Sequence, residues 1–348
     1  MKKIIGIIVL ILVVLGLVVW GVTKSSSNTN VVKIGVLVPL SGPTSFVGEI
    51  MKKGFDQALN EINANGKVLE VYYEDNKNSP NDAVLATKNL IELKKVDVII
   101  TSTSGSSIAV ASYLNGLNKN IPLFATFVYA DIPSIYKNAF QMFVSNASES
   151  DAFKNWKSGT KVSKLGILYL NNEFGTQLKD SIAQSSGLSS SSVIGESFAM
   201  TDKDVKTQLL KLKSAGVDTI YVTLLSAPDM FIKEAREIGF KGSLVFSSTI
   251  YLNGWTNKPE YDGVYTSVPT SYRNLDSAPA GAIELGSIVL QTINSAIKSG
   301  PVDKMMDFLA NQKEIVTKTH GTLVVDPVKR SVYIPLEIKQ LKGGKINY

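Results

Sequence analysis

Three features of this 348-residue chain predict an α/β fold built from two parallel-sheet units. Short apolar runs recur without polar alternation, as strands buried on both faces of a parallel sheet require. Segments with helical spacing of apolar residues stand between them. The alternation breaks once, near Phe140–Val144, and then resumes, so two units are expected rather than one.

Ile34–Leu40 is the first strand, and Ser41-Gly42-Pro43 ends it sharply. Met51, Phe55, Ala58, Leu59 and Ile62 then form the apolar stripe of a helix that Asn65-Gly66 stops. Ligands in such folds sit beyond the carboxyl ends of strands. The loop SGPTSFVG is therefore either a wall of a binding cleft or a turn selected for geometry alone. Leu69–Glu74 is the second strand. Ser79, Pro80 and Asp82 read as the N-cap, first position and capping box of a helix. The Asp/Asn-rich stretch 75–82 is a turn and cap rather than a calcium loop, since Pro80 and Ala86 stand where an EF-hand needs glycine and glutamate. Val96–Thr101 is a third strand, running into the hydroxyl-rich loop Ser102–Ser107 and a helix. Hydroxyls beside unpaired N–H groups at a helix start suit a carboxylate, and they also suit simple capping. Ile121–Phe127 is the fourth strand.

In the second unit, Leu165–Leu170 is a strand followed by Asn171-Asn172-Glu173-Phe174-Gly175 and a helix. Ser185–Ser192 reads as a solvated loop. Thr201 with Asp204 is expected to cap the next helix. Strands are predicted at Asp218–Leu224 and Ser243–Phe246, with a helix from Pro228 to near Gly239 between them. Gly263–Val268 reads as a returning connection, Ala278–Lys298 as a long helix, and Thr322–Val325 and Tyr333–Ile338 as short strands.

Composition narrows the function. The formal charge is +6, from 36 Lys+Arg against 30 Asp+Glu, but the basic residues are scattered and only Arg236, Arg273 and Arg330 are arginines. That argues against a nucleic-acid partner. Cysteine is absent, which removes disulfides, thiolate metal sites and a lipid-modified N-terminal cysteine. His320 is the only histidine and no G-x-S-x-G elbow accompanies it, so catalysis is not expected. Carboxylates alone would have to bind a metal, and no phosphate-binding glycine motif is present, so neither metal nor cofactor is expected.

Met1-Lys2-Lys3 precedes nineteen residues, Ile4–Val22, without a side chain more polar than glycine or tryptophan. That length spans a ~30 Å hydrocarbon core. The run lacks an A-x-A cleavage pattern and carries Trp20 near its end, so an uncleaved anchor (residues 1–24) is favoured over a cleaved signal. Lys2 and Lys3 place the N-terminus inside and the remainder outside the membrane. Residues 25–30, SSSNTN, form a tether.

The ordered set of SGP, GFDQALNEINANG, EDNKNSPNDAV, TSTSGSS, IPLF and LGILYLNNEFG, over about residues 32–340, resembles the type I periplasmic solute-binding proteins. The similar branch serves branched-chain amino-acid and amide ABC importers. The resemblance implies two Rossmann-like lobes joined by three crossovers, near Phe140–Val144, Tyr265–Pro269 and Thr322–Asp326. One lobe would hold 31–142 and 266–324, the other 143–265 and 325–348. A small-molecule ligand would lie between them, and an ABC permease and ATPase would be the partners. Carried over position by position, Ser104 falls where the family binds a ligand carboxylate, with Ser102 and Thr103 beside it. Phe46 lies in the first loop, and Phe174 matches the aromatic of the N-[DE]-[YF]-G turn. Phe127 and Tyr129 stand where amino-acid binders have a small residue and a threonine. Leu225 replaces an aromatic, and Ser248 replaces the acid that meets an ammonium. Ordinary packing is the alternative for each aromatic. The implied ligand has an oxygen acceptor and an apolar body, and an amino acid fits only if another acid, such as Glu284 or Asp131, reaches its amine. A membrane-anchored sensory receptor subunit is the competing function; association with a kinase rather than a permease would mark it.

Overall fold

The computed structural model describes residues 31–348 other than 118, 143, 226–227, 250–257, 271–277, 318–320, 344 and 347–348. The expected anchor, its tether and His320 therefore lie outside the described residues. No helix among the described residues is long and apolar enough to cross a membrane.

Lobe A begins with β1 (Val32–Val38), α1 (Ser45–Ile62), β2 (Leu69–Asp75), α2 (Pro80–Asn89), β3 (Val98–Ser102), α3 (Ser104–Asn115), β4 (Leu123–Thr126), α4 (Ile132–Ile135) and β5 (Ala139–Gln141). Ser79 caps α2 as its sequence indicates, accepting from Asp82 N at 3.3 Å. Lobe B follows with α5 (Asn146–Ser158), β6 (Leu165–Leu170), α6 (Glu173–Ser185), β7 (Val193–Phe198), α7 (Lys206–Ser214), β8 (Thr219–Thr223), α8 (Asp229–Glu237), β9 (Ser243–Phe246) and β10 (Tyr265–Pro269). The chain then supplies α9 (Ala278–Ser299), α10 (Met305–Ala310), β11 (Glu314–Val316), β12 (Thr322–Asp326), β13 (Ser331–Tyr333), β14 (Leu336–Lys342) and β15 (Lys345–Ile346).

The parallel strands of the two sheets follow one plan: β2-β1-β3-β4-β5 in lobe A and β7-β6-β8-β9-β10 in lobe B. This doubly wound order reverses beside the first strand of each lobe, leaving a crevice at the strands' carboxyl ends. Both sheets are mixed rather than purely parallel. β13 extends lobe A beside β5 in parallel, and β12 and β11 then continue antiparallel. β14 pairs antiparallel with β10 in lobe B.

The first change of sheet falls between Gln141 and Asn146. The second follows β10, which lies wholly in lobe B, since α9 packs on α1 of lobe A. A Cβ at Gly54 would come within 2.0 Å of Ile283 O, and one at Gly286 within 2.6 Å of Met51 O, so glycine sets how closely α1 and α9 cross. The third change falls at Ile334–Pro335, not at Thr322–Asp326, which is itself a strand of lobe A. The strand read at Tyr333–Ile338 is split by that passage into β13 and β14.

Three further differences are local. Thr201 caps no helix; α7 starts at Lys206, and the buried Glu234 carboxylate accepts from Val205 N at 2.7 Å in place of a local cap. β7 is a half-buried edge strand interrupted by Gly195 and Glu196, which hides its pattern. α5 carries few apolar residues and begins from Ser145, whose hydroxyl accepts from Ser148 N.

Candidate functional site

A cavity of about 60 Å³ lies where the carboxyl ends of the two sheets face each other. Thr44 and Val47 follow β1, Thr103, Ser104 and Gly105 follow β3, and Phe127 and Tyr129 follow β4. From lobe B come Asn172, Glu173 and Phe174 after β6, Leu225 after β8 and Thr249 after β9. The cavity thus sits at the crevice of both sheets at once, the place that strand order alone favours for a ligand.

Lobe A contributes hydroxyls and strained backbone. Thr103 and Phe127 are the first residues beyond β3 and β4, and both have positive φ, +68° and +54°. Such conformations in non-glycine residues cost about 1–3 kcal/mol and persist where the surroundings impose them. Ser104 opens the twelve-residue α3, and its Oγ accepts from Tyr129 N at 3.2 Å, leaving its own hydrogen available. Thr103 Oγ1 is buried without a hydrogen-bond partner among the described residues, although the great majority of buried polar side-chain atoms have one. The loop beneath is fixed internally. Ser107 Oγ donates to Thr101 Oγ1 at 2.8 Å, and Asn76 Nδ2 donates to Leu37 O and Ser102 O, tying β1 to β3.

Lobe B contributes Phe174 and Leu225 beside the polar Asn172, Glu173 and Thr249, over a buried carboxylate. The Tyr129 ring, from lobe A, meets the Phe174 ring edge-on with centroids 4.8 Å apart. Its hydroxyl lies 3.0 Å from Ser248 Oγ and donates to Glu149 Oε1 at 3.4 Å. Glu149, on α5, is fully buried and also accepts from Ser248 N at 2.7 Å and from Tyr221 O–H at 2.8 Å. Burial, and then the Glu149 charge, push the Tyr129 and Tyr221 hydroxyls well above the ordinary tyrosine range, so both remain hydrogen-bond donors.

The structure brings Thr103, Ser104, Phe127, Tyr129, Phe174 and Leu225 together around the cavity. Three residues predicted with them stand elsewhere. Phe46 packs on the core while its neighbours Thr44 and Val47 line the space, because α1 turns its side chain away. Ser102 is fully buried and donates to Leu37 O at 3.3 Å. Ser248 lies behind Tyr129, its hydroxyl engaged there. Neither acid expected to reach an amine lines the cavity: Asp131 caps α4 by accepting from Ser134 N, and Glu284 lies on α9. Glu149 was missed because α5 was not recognised. The available signal was its place at the head of the stripe Glu149, Phe153, Trp156, at i, i+4 and i+7, which puts a carboxylate on a buried helix face. Gly105 was also missed; a Cβ there would come within 2.8 Å of Glu173 Oε2, so the lobes approach closely at this rim. No group of three or more His, Cys, Asp or Glu able to hold a metal occurs among the described residues.

Comparison with known proteins gives likenesses of three kinds, to a relative, to solved structures and to a family model. Leu/Ile/Val-binding protein homolog 7 of Brucella abortus is 27% identical over 252 residues, which cover 67% of this chain and 61% of that protein. The chain thus spans about three-fifths of the length of that relative. The branched-chain amino acid transporter substrate-binding protein LivJ of Streptococcus pneumoniae, solved with isoleucine, superposes with a TM-score of 0.75 at 20% identity, covering 92% of this chain and 98% of LivJ. A solute-binding protein of an ABC transporter from R. palustris, solved with benzoate, gives 0.75 at 18% identity, covering 91% and 95%. At such identities the structural likeness speaks for the fold alone. The sequence model of one family, described as periplasmic binding protein, matches residues 31–284, which takes in all of lobe B's parallel strands and the five that open lobe A, and the chain belongs to that family.

Proposed function

We propose that this protein is the extracytoplasmic solute-capturing subunit of an ABC-type importer and that it holds a small carboxylate between its lobes. The observation that carries this reading is Thr103 Oγ1, a buried hydroxyl without a partner among the described residues that borders the interlobe cavity beside Ser104 and the N-terminus of α3. Helix N–H groups and the helix dipole favour an anion there, and hydroxyl donors add to it. Isoleucine in the S. pneumoniae structure and benzoate in the R. palustris structure both carry a carboxylate. Phe127, Phe174 and Leu225 supply apolar surface for the rest of the ligand. Ligand-binding roles accordingly go to Thr103 and Ser104 for the carboxylate and to Phe127, Tyr129, Phe174 and Leu225 for the body.

The cavity of about 60 Å³ is under half of the roughly 150 Å³ that admits benzene in an apolar protein interior. Entry therefore requires the lobes to part at the three connecting segments and to close again over the ligand. A permease and an ATPase are the partners in this reading, the segment Ile4–Val22 keeps the protein at the membrane, and the protein is a binder rather than an enzyme. The test is thermal denaturation against a panel of monocarboxylates, each at high concentration. A ligand specific for the folded state at ~100 times its dissociation constant adds about 2.7 kcal/mol. If no carboxylate in the panel raises the midpoint, the reading fails.

A further inference from the structure

Position 248 carries no acid, yet an acid lies beside it. Glu149 reaches there from α5 and accepts the Ser248 N–H at 2.7 Å. Its other donors are the Tyr221 hydroxyl at 2.8 Å and the Tyr129 hydroxyl at 3.4 Å. All three donors are uncharged, and no lysine or arginine among the described residues pairs with this fully buried carboxylate. A buried carboxylate held only by neutral donors lacks a counter-charge, and its attraction for a cation placed against it is stronger than the same pair would feel in water, set against the cost of desolvating that cation. What separates Glu149 from the cavity is Tyr129. Its ring lines the cavity, and its hydroxyl bonds both Ser248 Oγ and Glu149. Tyr129 itself is held on two sides, by Ser104 Oγ at its N–H and by the Phe174 ring. The protein therefore fills, with a hydroxyl of its own, the space over Glu149 that a ligand's cationic donor would need.

We propose that Tyr129 and Glu149 together set the class of ligand: Tyr129 excludes an ammonium group, and Glu149 is a latent cation-binding residue that Tyr129 covers. This rests on the carboxylate-binding reading above. The natural site accordingly takes a monocarboxylate without an amino group, and shortening Tyr129 turns it toward the corresponding α-amino acid.

The test is isothermal titration with matched pairs: leucine with 4-methylpentanoate, and phenylalanine with 3-phenylpropanoate. The proteins are wild type, Tyr129→Phe, Tyr129→Thr and Tyr129→Thr/Glu149→Gln, each checked for a cooperative thermal transition. Wild type is expected to bind the deaminated acid at least tenfold more tightly than its amino acid. Tyr129→Thr should reverse that preference, and adding Glu149→Gln should abolish the gain for the amino acid while leaving the deaminated acid within about threefold. Tyr129→Phe, which keeps the ring, should not admit the amino acid. Wild type preferring the amino acid overturns this proposal while leaving the carboxylate reading intact; so does a gain in Tyr129→Thr that survives Glu149→Gln, or a Tyr129→Phe and Tyr129→Thr pair that weaken both ligands equally, as a mere bridge between lobes would. Absence of binding by every ligand to every folded variant sinks the carboxylate reading as well.

Discussion

The two lobes repeat one topology but present different chemistry at the same place. In lobe A the crevice beside the first strand ends in Thr103 and Ser104, with a helix N-terminus behind them. In lobe B the matching crevice ends in Phe174 and Leu225 beside Asn172, Glu173 and Thr249, with a buried carboxylate, Glu149, covered by a tyrosine from the other lobe. Strand order decides where a ligand sits, and loop residues decide which end of it faces which lobe. In the proposed reading the asymmetry gives the ligand one orientation: acceptor toward Thr103 and Ser104 of lobe A, body toward Phe174 and Leu225 of lobe B. The first loops differ too. Lobe A holds its loop with the Asp75 carboxylate, which accepts from Leu40 N and Ser41 Oγ at 2.8 and 2.6 Å. Lobe B uses neutral groups, Thr223 Oγ1 accepting from Leu170 N and Asn172 capping α6.

The sharpest break in this comparison comes from removing the lobe B charge. Glu149→Ala leaves the Ser248 N–H and the Tyr221 hydroxyl without their acceptor, at about 1–3 kcal/mol each, while Tyr129 keeps Ser248 Oγ, so urea denaturation should show a loss of roughly 2–6 kcal/mol. A loss under about 1 kcal/mol would mean that water replaces the carboxylate and that the lobe B wall is not dry. A smaller effect is expected in lobe A. Thr103→Val preserves shape and removes an unpartnered buried hydroxyl, so the ligand-free protein should lose little stability while ligand affinity falls by roughly 1.5–3 kcal/mol, the range for a hydrogen bond to a charged group. Unchanged affinity would move the carboxylate away from Thr103.

The smallest effect separates the loops by pH. Burial pulls the Asp75 carboxyl up, but hydrogen bonds from the Ser41 hydroxyl and the Leu40 and Lys77 N–H groups outweigh it and hold the group below the ordinary 3.8. A lowered folded-state value contributes stability above pH 3.8 that is lost as pH falls through the folded value. In an NMR titration the Leu40 amide should shift with a midpoint below 3.8, while the Leu170 amide, bonded to a hydroxyl, should show no matching inflection. The same inflection at both amides would erase the distinction.

Most of the fold is legible because buried parallel strands such as Leu165–Leu170 are continuous apolar runs that local pattern reveals. The elements that escape are those that tertiary context forms. β5 has three residues, β7 is a polar-interrupted edge, and α7 is capped by Glu234 from a distant helix. The site divides the same way. Thr103 and Ser104 announce themselves as a hydroxyl loop entering a helix. Glu149 does not, because its meaning depends on Tyr221 within β8 and on Tyr129 and Ser248 in the loops after β4 and β9.

The crossing of α1 and α9 at Gly54 and Gly286 bears on how the chain is made. Lobe A's opening helix is covered by a helix 22 residues long that emerges only after all of lobe B's parallel strands have been synthesised, and β11–β13 follow later still. A chain leaving the ribosome or a membrane pore from its N-terminus presents α1 with its apolar stripe and no α9 to bury it. Lobe B, whose parallel sheet is nearly contiguous from α5 to β10, completes its main packing first. The opening face of lobe A thus waits through the synthesis of lobe B's parallel strands for the helix that covers it, and a substitution that crowds Gly54 or Gly286 would lengthen the interval in which that face is open to aggregation.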